Sequence, residues 1–332
     1  ASIGWDWTAG FYPGSLWYLC NLTEEEYWKS LAEKYTEALE KMQYNTSHHD
    51  VGFIIGCSYM NGIRMGGEEK YKPVVVQAAK SLSTRFRPVA GVIQSWNTQK
   101  GWQSERGWKC PVIIDNMMNL ELLFEATRLS GDSTFYNIAV SHADKTLKNH
   151  FRKDGSSYHV VDYDPETGEV RSRSTAQGYA DESAWARGQA WGIYGYTMCY
   201  RYTHNPAYLK QAERTYDFIF THTNMPEDLV PYWDYDALNI PNEPRDVSSA
   251  AITASALYEL SSATRYAGYK ETADLIMASL ASSAYRAELG DNQGFLLMHS
   301  VGSIPHGNEI DVPLNYADYY FLEALKRKRD ME

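Results

Sequence analysis

The sequence predicts an all-α fold, an (α/α)6 barrel built from six inner and six outer helices. Two observations carry this prediction. Segments that are apolar on nearly all sides, as buried helices are, alternate along the chain with amphipathic helices that have one apolar face. From residue 51 onward the buried segments begin at intervals that alternate between 64 and 68 residues. A regular period of this length indicates a repeated pair of helices, and six such pairs close into a ring.

The helices follow in order along the chain. The segments predicted to form inner helices are 12–20, 51–65, 115–130, 183–203, 247–262 and 315–326. Thr23, followed by three glutamates, predicts a capping-box start for the first of five outer helices. The other four outer helices are predicted over 70–86, 134–150, 207–223 and 268–285. We expect the remaining outer helix, the first of the barrel, to precede residue 1 and to be absent from this chain.

Residues 157–173 interrupt the helical pattern. Two runs with strand character, 157–163 and 169–173, flank the sequence Asp-Pro-Glu-Thr-Gly, and this arrangement predicts a small β-hairpin before the fourth inner helix. No low-complexity stretch or linker divides the chain. The sequence therefore predicts a single catalytic domain over residues 1–332.

Composition and charge argue against several classes of protein. The 332 residues carry a formal net charge of −11, whereas proteins that bind nucleic acid need a basic surface. No apolar run approaches the roughly 20 residues that span a bilayer, so we expect no membrane association. The four cysteines are widely spaced, which favours reduced thiols over a metal site. Because the sequence starts without an initiator methionine or a signal peptide, the compartment stays open between the bacterial cytoplasm and the periplasm.

Polar and aromatic residues gather in the loops that lead into the predicted inner helices, where we expect the mouth of the barrel. They are Asp6-Trp7-Thr8, His48-His49-Asp50, Gln94-Ser95-Trp96, Asp115-Asn116 and Gln177–Asp181, followed by Arg187 and Trp191. Aromatic rings that stack on a sugar, together with acids and amides that bind its hydroxyls, are typical of a carbohydrate site. A pair of carboxylates in such a site indicates acid/base chemistry on a glycosidic bond.

Asp115 is the sharpest candidate for a catalytic group, because Pro111-Val-Ile-Ile delivers a lone acid to the start of a buried helix. Burial favours its protonated form, and the helix N-terminus favours its ionised form. The same position also suits a simple helix cap. Asp50, which follows two histidines, has the same two interpretations. If both acids face the cavity, their repulsion keeps one of them protonated.

The other candidates have plainer interpretations as well. His49 equally fits a satisfied polar residue of a loop, and Trp7, Trp96, Trp185 and Trp191 equally fit the core. The sequence contains no HExxH or GxSxG motif and no glycine-rich phosphate loop. It therefore predicts neither a metal nor an organic cofactor.

These blocks closely resemble the unsaturated glucuronyl hydrolases, and the resemblance runs nearly from end to end. The matching blocks are Asp6–Phe11, His48–Phe53, Gly91–Trp96, Ile113–Asp115, Ser156–His159, Gln177-Gly178, Trp185–Tyr194, Arg245–Ile252 and Asp318–Leu325. That family has the (α/α)6 fold, in agreement with the period of the helices. The resemblance also implies that no cofactor is needed.

The resemblance implies an unusual hydrolysis of oligosaccharides left by polysaccharide lyases. Their terminal uronic acid carries a C4=C5 double bond. An acid protonates C4, water adds at C5, and the hemiketal opens to release a keto-sugar acid. The family's general acid/base matches Asp115 and its second carboxylate matches Asp50. The substrate-contacting positions match Trp7, His49, Trp96, His159, Gln177, Arg187 and Trp191. Among these, Arg187 and His49 are expected to balance the charge of the anionic sugar.

A serine pattern near the C-terminus bears on specificity. Family members that prefer sulfated glycosaminoglycan fragments carry Ser-x-x-Ser-x-Lys, and here Ser300-Val-Gly-Ser303 is followed by Ile and Pro305 in place of the lysine. We therefore expect Ser300 and Ser303 to contact substrate and to tolerate sulfate. The other interpretation is an ordinary Ser/Gly turn.

The expected partners are oligosaccharides that end in an unsaturated uronic acid, and the expected assembly is a monomer or a dimer. Other functions fit parts of the pattern. An unsaturated rhamnogalacturonyl hydrolase would use the same chemistry on pectin fragments, and a non-catalytic carbohydrate-binding barrel would need no pair of acids. An inverting glycosidase would also hydrolyse saturated sugars.

Overall fold

The computed structural model describes residues 6–332, which contain thirteen α-helices and seven β-strands. These residues form two compact units. The first unit extends to Asn149 and also includes Val160–Arg173, and the second comprises His150–His159 and Ser174–Glu332. The short segment His150–His159 therefore belongs to the second unit although residues of the first unit flank it.

Helices of the first unit pack in pairs. A 3-10 turn at Trp7–Gly10 leads into the first of them. The helices are α1 (Phe11–Thr23), α2 (Glu26–Glu37), α3 (Val51–Ile55), α4 (Asn61–Gly66), α5 (Lys72–Ser83), α6 (Trp102–Glu105), α7 (Asn116–Ser130) and α8 (Ser133–Asn149). Helix α1 packs on α2, α7 packs on α8, and α3 contacts both α5 and α7.

Helices α3 and α4 are the two halves of one helical run, joined by a π-helical turn at Gly56–Met60. All of α3 is buried, and so is most of the π turn, as the apolar sequence predicts for an inner helix. The run ends at Gly67, whose φ of 70° is a left-handed conformation that glycine adopts without steric cost.

Two small sheets belong to the first unit. Strands β1 (Phe86–Arg87) and β2 (Val92–Ile93) pair antiparallel, and β3 (Cys110–Ile113), β4 (Val160–Tyr163) and β5 (Val170–Ser174) form a three-stranded sheet in that order. Cys110 lies opposite Tyr163 in the antiparallel pairing of β3 with β4. Both of these strands are fully buried. Because β3 is held in this way, it fixes the chain that enters α7.

In the second unit, two neighbouring helices are buried, and the other helices pack around them. They are α9 (Ala186–Thr203), α10 (Pro206–Thr221), α11 (Val247–Thr264), α12 (Ala267–Leu280) and α13 (Asn315–Arg329). Helix α11 contacts α9, α12 and α13, and α10 packs on α9. The first fourteen residues of α9 are buried without interruption, whereas α10 buries one face. The predicted alternation of fully buried and one-faced helices is confirmed in this unit.

A hairpin of strands β6 (Ser300–Ser303) and β7 (Asn308–Val312) precedes α13. The strands pair antiparallel, with a shift of register between Ser300 and Val301, and all four residues of β6 are buried. The interpretation of Ser300–Ser303 as a Ser/Gly turn is therefore wrong.

The helix predictions are confirmed with small shifts at the ends, but two local expectations need correction. Thr23 is the last residue of α1, and its hydroxyl donates to the carbonyl of Leu19 at 2.8 Å. It does not begin α2, which starts at Glu26. The predicted hairpin is confirmed as β4 and β5, but β4 begins only at Val160 and pairs with β3, a strand that the helical pattern concealed.

Two further expectations concern the membrane and the thiols. Within residues 6–332, no helix combines the length and the apolar character needed to cross a membrane. All four cysteines are free, and Cys57, Cys110 and Cys199 are buried while Cys20 is partly exposed.

Gly52 allows α3 to approach α7 closely. A methyl group at this position would lie 2.3 Å from Oδ1 and 2.6 Å from Cα of Asn119. We expect Gly52→Ala to lower the free energy of unfolding by about 2 kcal/mol, because the backbone of α7 would have to move. The matched control is Gly56→Ala, whose methyl would find its nearest atom, Met60 Sδ, at 3.8 Å. Urea unfolding measures both, and equal midpoints for the two variants would contradict this account.

Candidate active site

Asp115 lies where β3 runs into α7, and it is 8% exposed. It occupies the N-cap position of α7, but its side chain makes no capping hydrogen bond to the helix. Asp132, in contrast, accepts a hydrogen bond from the Thr134 amide at 2.9 Å ahead of α8. The interpretation of Asp115 as a simple cap is therefore wrong, and its carboxyl group has some other role.

Asp50 occupies the equivalent position ahead of α3, and it also makes no capping hydrogen bond. Its carboxylate instead faces two imidazoles. Oδ1 lies 3.2 Å from Nε2 of His49, and Oδ2 lies 3.5 Å from Nδ1 of His48. The cap interpretation is wrong here as well.

The surroundings of Asp50 favour its ionised form. Burial raises the pKa of this carboxyl, but His49, His48 and Arg85 together outweigh burial and hold the pKa below its ordinary value. Burial is also the largest effect on His49, and it lowers the pKa of that imidazole to about 4. At neutral pH the pair is therefore a carboxylate beside a neutral imidazole.

Ser95 connects the loop that carries these residues to the start of α7. Nδ1 of His49 donates to the Ser95 carbonyl at 2.8 Å. The Ser95 hydroxyl oxygen accepts hydrogen bonds from the Ile113 amide at 3.0 Å and from Nδ2 of Asn116 at 3.4 Å. The buried Ser95 thus holds His49 through its carbonyl. Through its hydroxyl it holds Ile113 and Asn116, the residues that flank Ile114 and Asp115 in the chain.

This arrangement leaves Nε2 of His49, which lies 3.2 Å from Oδ1 of Asp50, without a hydrogen-bond donor. Because Nδ1 carries the proton that Ser95 accepts, Nε2 of the neutral ring is an acceptor. Nε2 is fully buried and forms no hydrogen bond to any residue between 6 and 332. Such a group is a suitable acceptor for a ligand hydroxyl.

Arg85 is a residue of this region that the sequence analysis missed. Its buried guanidinium donates to the carbonyls of Gln94 at 2.8 Å, Thr46 at 2.8 Å and Ser95 at 3.1 Å. Burial lowers its pKa to about 10, so it stays charged at neutral pH. A single arginine between a helix and a two-residue strand carries no motif, and only the folded chain shows that it holds three loop carbonyls.

The predicted aromatic residues of the first unit are partly exposed. Trp7 packs edge-on against Phe53 with ring centroids 5.4 Å apart. Trp96 stacks on Trp108 at 5.7 Å and meets Trp102 edge-on at 5.0 Å. Trp102 and Trp108 were not predicted from the sequence, although both follow Trp96 at even intervals.

In the second unit, His159 and Gln177 lie in one hydrogen-bonded group. Nδ1 of His159 accepts hydrogen bonds from the amides of Ala176 at 3.0 Å and Gln177 at 3.2 Å. The side chain of Gln177 donates to the Gly302 carbonyl at 3.3 Å. The His159 ring also packs on Trp185, with centroids 4.6 Å apart.

Arg187 is buried and its charge is already balanced. Nη1 pairs with Oδ2 of Asp246 at 3.0 Å and also donates to the Val301 carbonyl, and Nη2 donates to the Gly302 carbonyl at 2.6 Å. The guanidinium carbon lies 4.5 Å from the centre of the Trp185 ring. Arg187 therefore fastens strand β6 to α9, and its expected role as a counter-charge for the sugar stays a prediction.

Three other predicted residues of this unit are buried. Trp191 is fully enclosed and packs against Tyr320 at 5.5 Å, as the core interpretation of this residue expects. Ser303 shares a hydrogen bond of 2.7 Å with Nδ1 of His306. The Ser300 hydroxyl is buried and has no hydrogen-bond partner in the described chain. Contact of these three side chains with substrate stays a prediction.

The side chains of the described residues do not assemble a metal site. No group of three or more His, Cys, Asp or Glu side chains between residues 6 and 332 is arranged to hold an ion.

Comparisons with known proteins place the chain in a family. The model of Glycosyl Hydrolase Family 88 matches residues 1–320. The unsaturated glucuronyl hydrolase of Formosa agariphila is 48% identical over 98% of this chain and 80% of the relative. A solved unsaturated glucuronyl hydrolase described as specific for heparin is 46% identical, with a TM-score of 0.94 over 98% of this chain and 86% of that one.

A more distant solved structure holds a ligand. A variant of the Streptococcus agalactiae unsaturated glucuronyl hydrolase, complexed with dGlcA-GalNAc6S, is 30% identical, with a TM-score of 0.81 over 97% of this chain and 80% of that one. These relatives confirm the predicted (α/α)6 fold and the predicted activity, hydrolytic release of an unsaturated uronic acid from an oligosaccharide. The chain is an enzyme and not a carbohydrate-binding barrel without catalysis. It belongs to Glycosyl Hydrolase Family 88, among the unsaturated glucuronyl hydrolases.

Proposed function

We propose that this enzyme removes the terminal Δ4,5-unsaturated uronic acid from lyase-generated glycosaminoglycan oligosaccharides by hydrating the C4=C5 double bond, with Asp115 as general acid and base. The observation that carries the proposal is the placement of Asp115. A nearly buried acid stands at the start of an inner helix without capping it. A carboxyl group with no capping role, and with a rigid strand behind it, is suited to hold and release a proton.

The proposed reaction uses the carboxyl group of Asp115 twice. The carboxyl group of Asp115 donates its proton to C4, and positive charge develops at C5 beside the ring oxygen. Water then bonds to C5 and returns a proton to the Asp115 carboxylate. The resulting hemiketal opens, the hemiacetal left at C1 releases the remaining oligosaccharide, and the sum is the addition of one water molecule.

Asp50 would serve this reaction as a carboxylate and His49 as a neutral imidazole. The ionised carboxylate of Asp50 is placed to stabilise positive charge in the transition state or to orient the incoming water. The buried Nε2 of His49, which forms no hydrogen bond within residues 6–332 and lies 3.2 Å from Oδ1 of Asp50, would accept a hydrogen bond from a sugar hydroxyl. Neither group needs to change its charge near neutral pH, since the pKa of Asp50 is lowered and that of His49 is about 4.

The remaining predicted contacts divide between stacking and hydrogen bonding. Trp7 and Trp96 are partly exposed, and we propose that they stack on the sugar rings. Gln177, His159, Arg187, Trp191, Ser300 and Ser303 complete the proposed set of substrate-binding residues. For Ser300 the support is a buried hydroxyl with no partner in the described chain, and such a group gains a hydrogen bond when a polar ligand arrives.

The direct test is the absorbance of the conjugated double bond. We expect the enzyme to abolish the absorbance of lyase-generated disaccharides of chondroitin, hyaluronan or heparin, and to leave saturated disaccharides intact, because only the vinyl ether accepts a proton at C4. Sulfated and unsulfated disaccharides assayed side by side report the preference for sulfate. Failure to consume every unsaturated disaccharide, or cleavage of saturated ones at a similar rate, would defeat the proposal.

Asp115→Asn removes the transferable proton and keeps the shape of the side chain. We expect this variant to fold with normal stability and to lose about 10³-fold in kcat, since a positioned general acid typically contributes a factor of this order. The matched control is Asp132→Asn, an acid at a helix start that does act as a cap and that asparagine replaces well. Stopped absorbance assays with one unsaturated disaccharide compare the variants. A kcat for Asp115→Asn close to that of the control would remove Asp115 from its role.

The buried imidazole of His49 predicts a dependence of stability on pH. Its pKa is about 4 in the folded chain against an ordinary value of 6.5. As the pH falls from 6.5 to 4, His49 binds a proton in the unfolded chain but not in the folded chain. The free energy of unfolding therefore falls by up to about 3 kcal/mol. In His49→Gln this contribution is absent, and stability should fall less over the same interval.

Urea unfolding at several pH values between 4 and 7 measures this difference. The control is His204→Asn, which removes an exposed imidazole at a position of positive φ that asparagine tolerates. Stability curves of wild type and His49→Gln that run parallel over the interval would show that His49 is not held neutral by burial.

A further inference from the structure

Asp234 is a fully buried acid that none of the predicted roles uses. Its Oδ2 accepts hydrogen bonds from the Tyr179 amide at 2.8 Å and from the Ser183 hydroxyl at 2.7 Å. Its Oδ1 accepts a third from the Asp236 amide at 2.9 Å. All three donors are neutral, so no cation offsets the cost of burying this carboxylate. Burial accordingly raises its pKa to about 6.

Two of these donors belong to the segment 175–185, which carries Gln177 and leads into α9. The segment closes tightly around the carboxylate beside Gly178. A methyl group on Gly178 would lie 3.1 Å from Oδ2 of Asp234, 3.0 Å from Cβ of Trp185 and 2.7 Å from Oγ1 of Thr175. The carboxylate of Asp234 is thus the centre on which both halves of this segment converge.

Gln177 itself is held at two further points. Its backbone amide donates to Nδ1 of His159 at 3.2 Å, and its side-chain amide donates to the Gly302 carbonyl at 3.3 Å. Asp234 accepts a hydrogen bond from the backbone amide of Tyr179, only two residues after Gln177. The direction of the Gln177 side chain therefore depends on two contacts of the backbone, one of Gln177 itself with His159 and one of Tyr179 with Asp234.

We propose that Asp234 is a positioning residue for substrate binding, whose carboxylate holds the segment 175–185 so that Gln177 meets the sugar in a fixed orientation. The inference rests on the proposed function, in which Gln177 contacts the substrate. A carboxylate fits this position because it accepts at both oxygens. The amide of an asparagine would turn an N–H group toward either the Tyr179 and Ser183 donors or the Asp236 donor.

Asp318 provides a matched comparison within the same unit. It is a partly buried acid whose pKa is also raised to about 6 by burial, and it also accepts two backbone hydrogen bonds, from Leu296 and Leu297 at 2.9 Å each. It holds the chain just before strand β6, and neither donor lies in the segment 175–185. Asp318→Asn therefore imposes the same chemical change without touching the segment that carries Gln177.

The experiment measures KM and kcat for an unsaturated disaccharide in Asp234→Asn, Asp318→Asn, Gln177→Ala and the double variant Asp234→Asn/Gln177→Ala. We expect Asp234→Asn to raise KM about tenfold with kcat within about twofold, because Gln177 binds ground state and transition state alike. Asp318→Asn should leave KM within about twofold of wild type. The double variant should have the KM of Gln177→Ala, since the two residues act through one contact.

Each result decides a separate point. A normal KM in Asp234→Asn, an equal rise in Asp318→Asn, or additive effects in the double variant would overturn the inference while leaving the proposed function intact. Absence of turnover by the wild type would instead overturn the proposed function. If Asp234→Asn does not fold, Ser183→Ala decides the inference. It removes one of the three hydrogen bonds to Asp234, together with the contacts of the same hydroxyl to Ala180 in the segment that Asp234 holds, so a rise of KM of about threefold supports the inference, and an unchanged KM opposes it.

Discussion

The hydrogen bonds of Ser95 are the constraint on which the acids of the first unit depend. Its carbonyl accepts from both His49 and Arg85, and its hydroxyl accepts from the chain that brings Asp115 to the start of α7. Two helix starts that are distant in sequence are thereby fixed to one residue, the first through its backbone carbonyl and the second through its hydroxyl. Because every one of these groups is buried, the loss of any one of them would leave a buried polar atom without its hydrogen-bond partner.

Electrostatics then separates the tasks of the two acids. Asp50 lies beside two imidazoles and near Arg85, an environment that keeps its carboxyl group ionised. Asp115 follows the apolar strand β3. In the proposed mechanism Asp50 would supply the anion and Asp115 the acid, and enzymes obtain such a pair from one residue type by giving the two groups different surroundings.

The inner helices were predictable from sequence because burial on all sides leaves a direct trace in the order of residues, and the repeat set their spacing, but neither the π turn that divides α3 from α4 nor the short helix α6 was predicted. The strand β3 was not predictable, since its partner β4 follows only after two intervening helices and no local pattern records such a pairing. Asp50 and Asp115 were found because they stand alone before apolar runs. Arg85 was missed, and neither the hydrogen bonds of Ser95 nor the ion pair of Arg187 with Asp246 was predicted, because each joins groups that only the folded chain brings near.

The buried pair of Arg187 and Asp246 has a consequence for how the enzyme meets an anionic ligand. The pair has no net charge, and its remaining hydrogen bonds go to the carbonyls of Val301 and Gly302. In the proposed set of substrate-binding residues, Arg187 would therefore act on an anionic ligand through a neutral pair and not as a free cation. The part of recognition that Arg187 supplies should then change little with the ionic strength of the medium, unlike the part that an unpaired cation would supply.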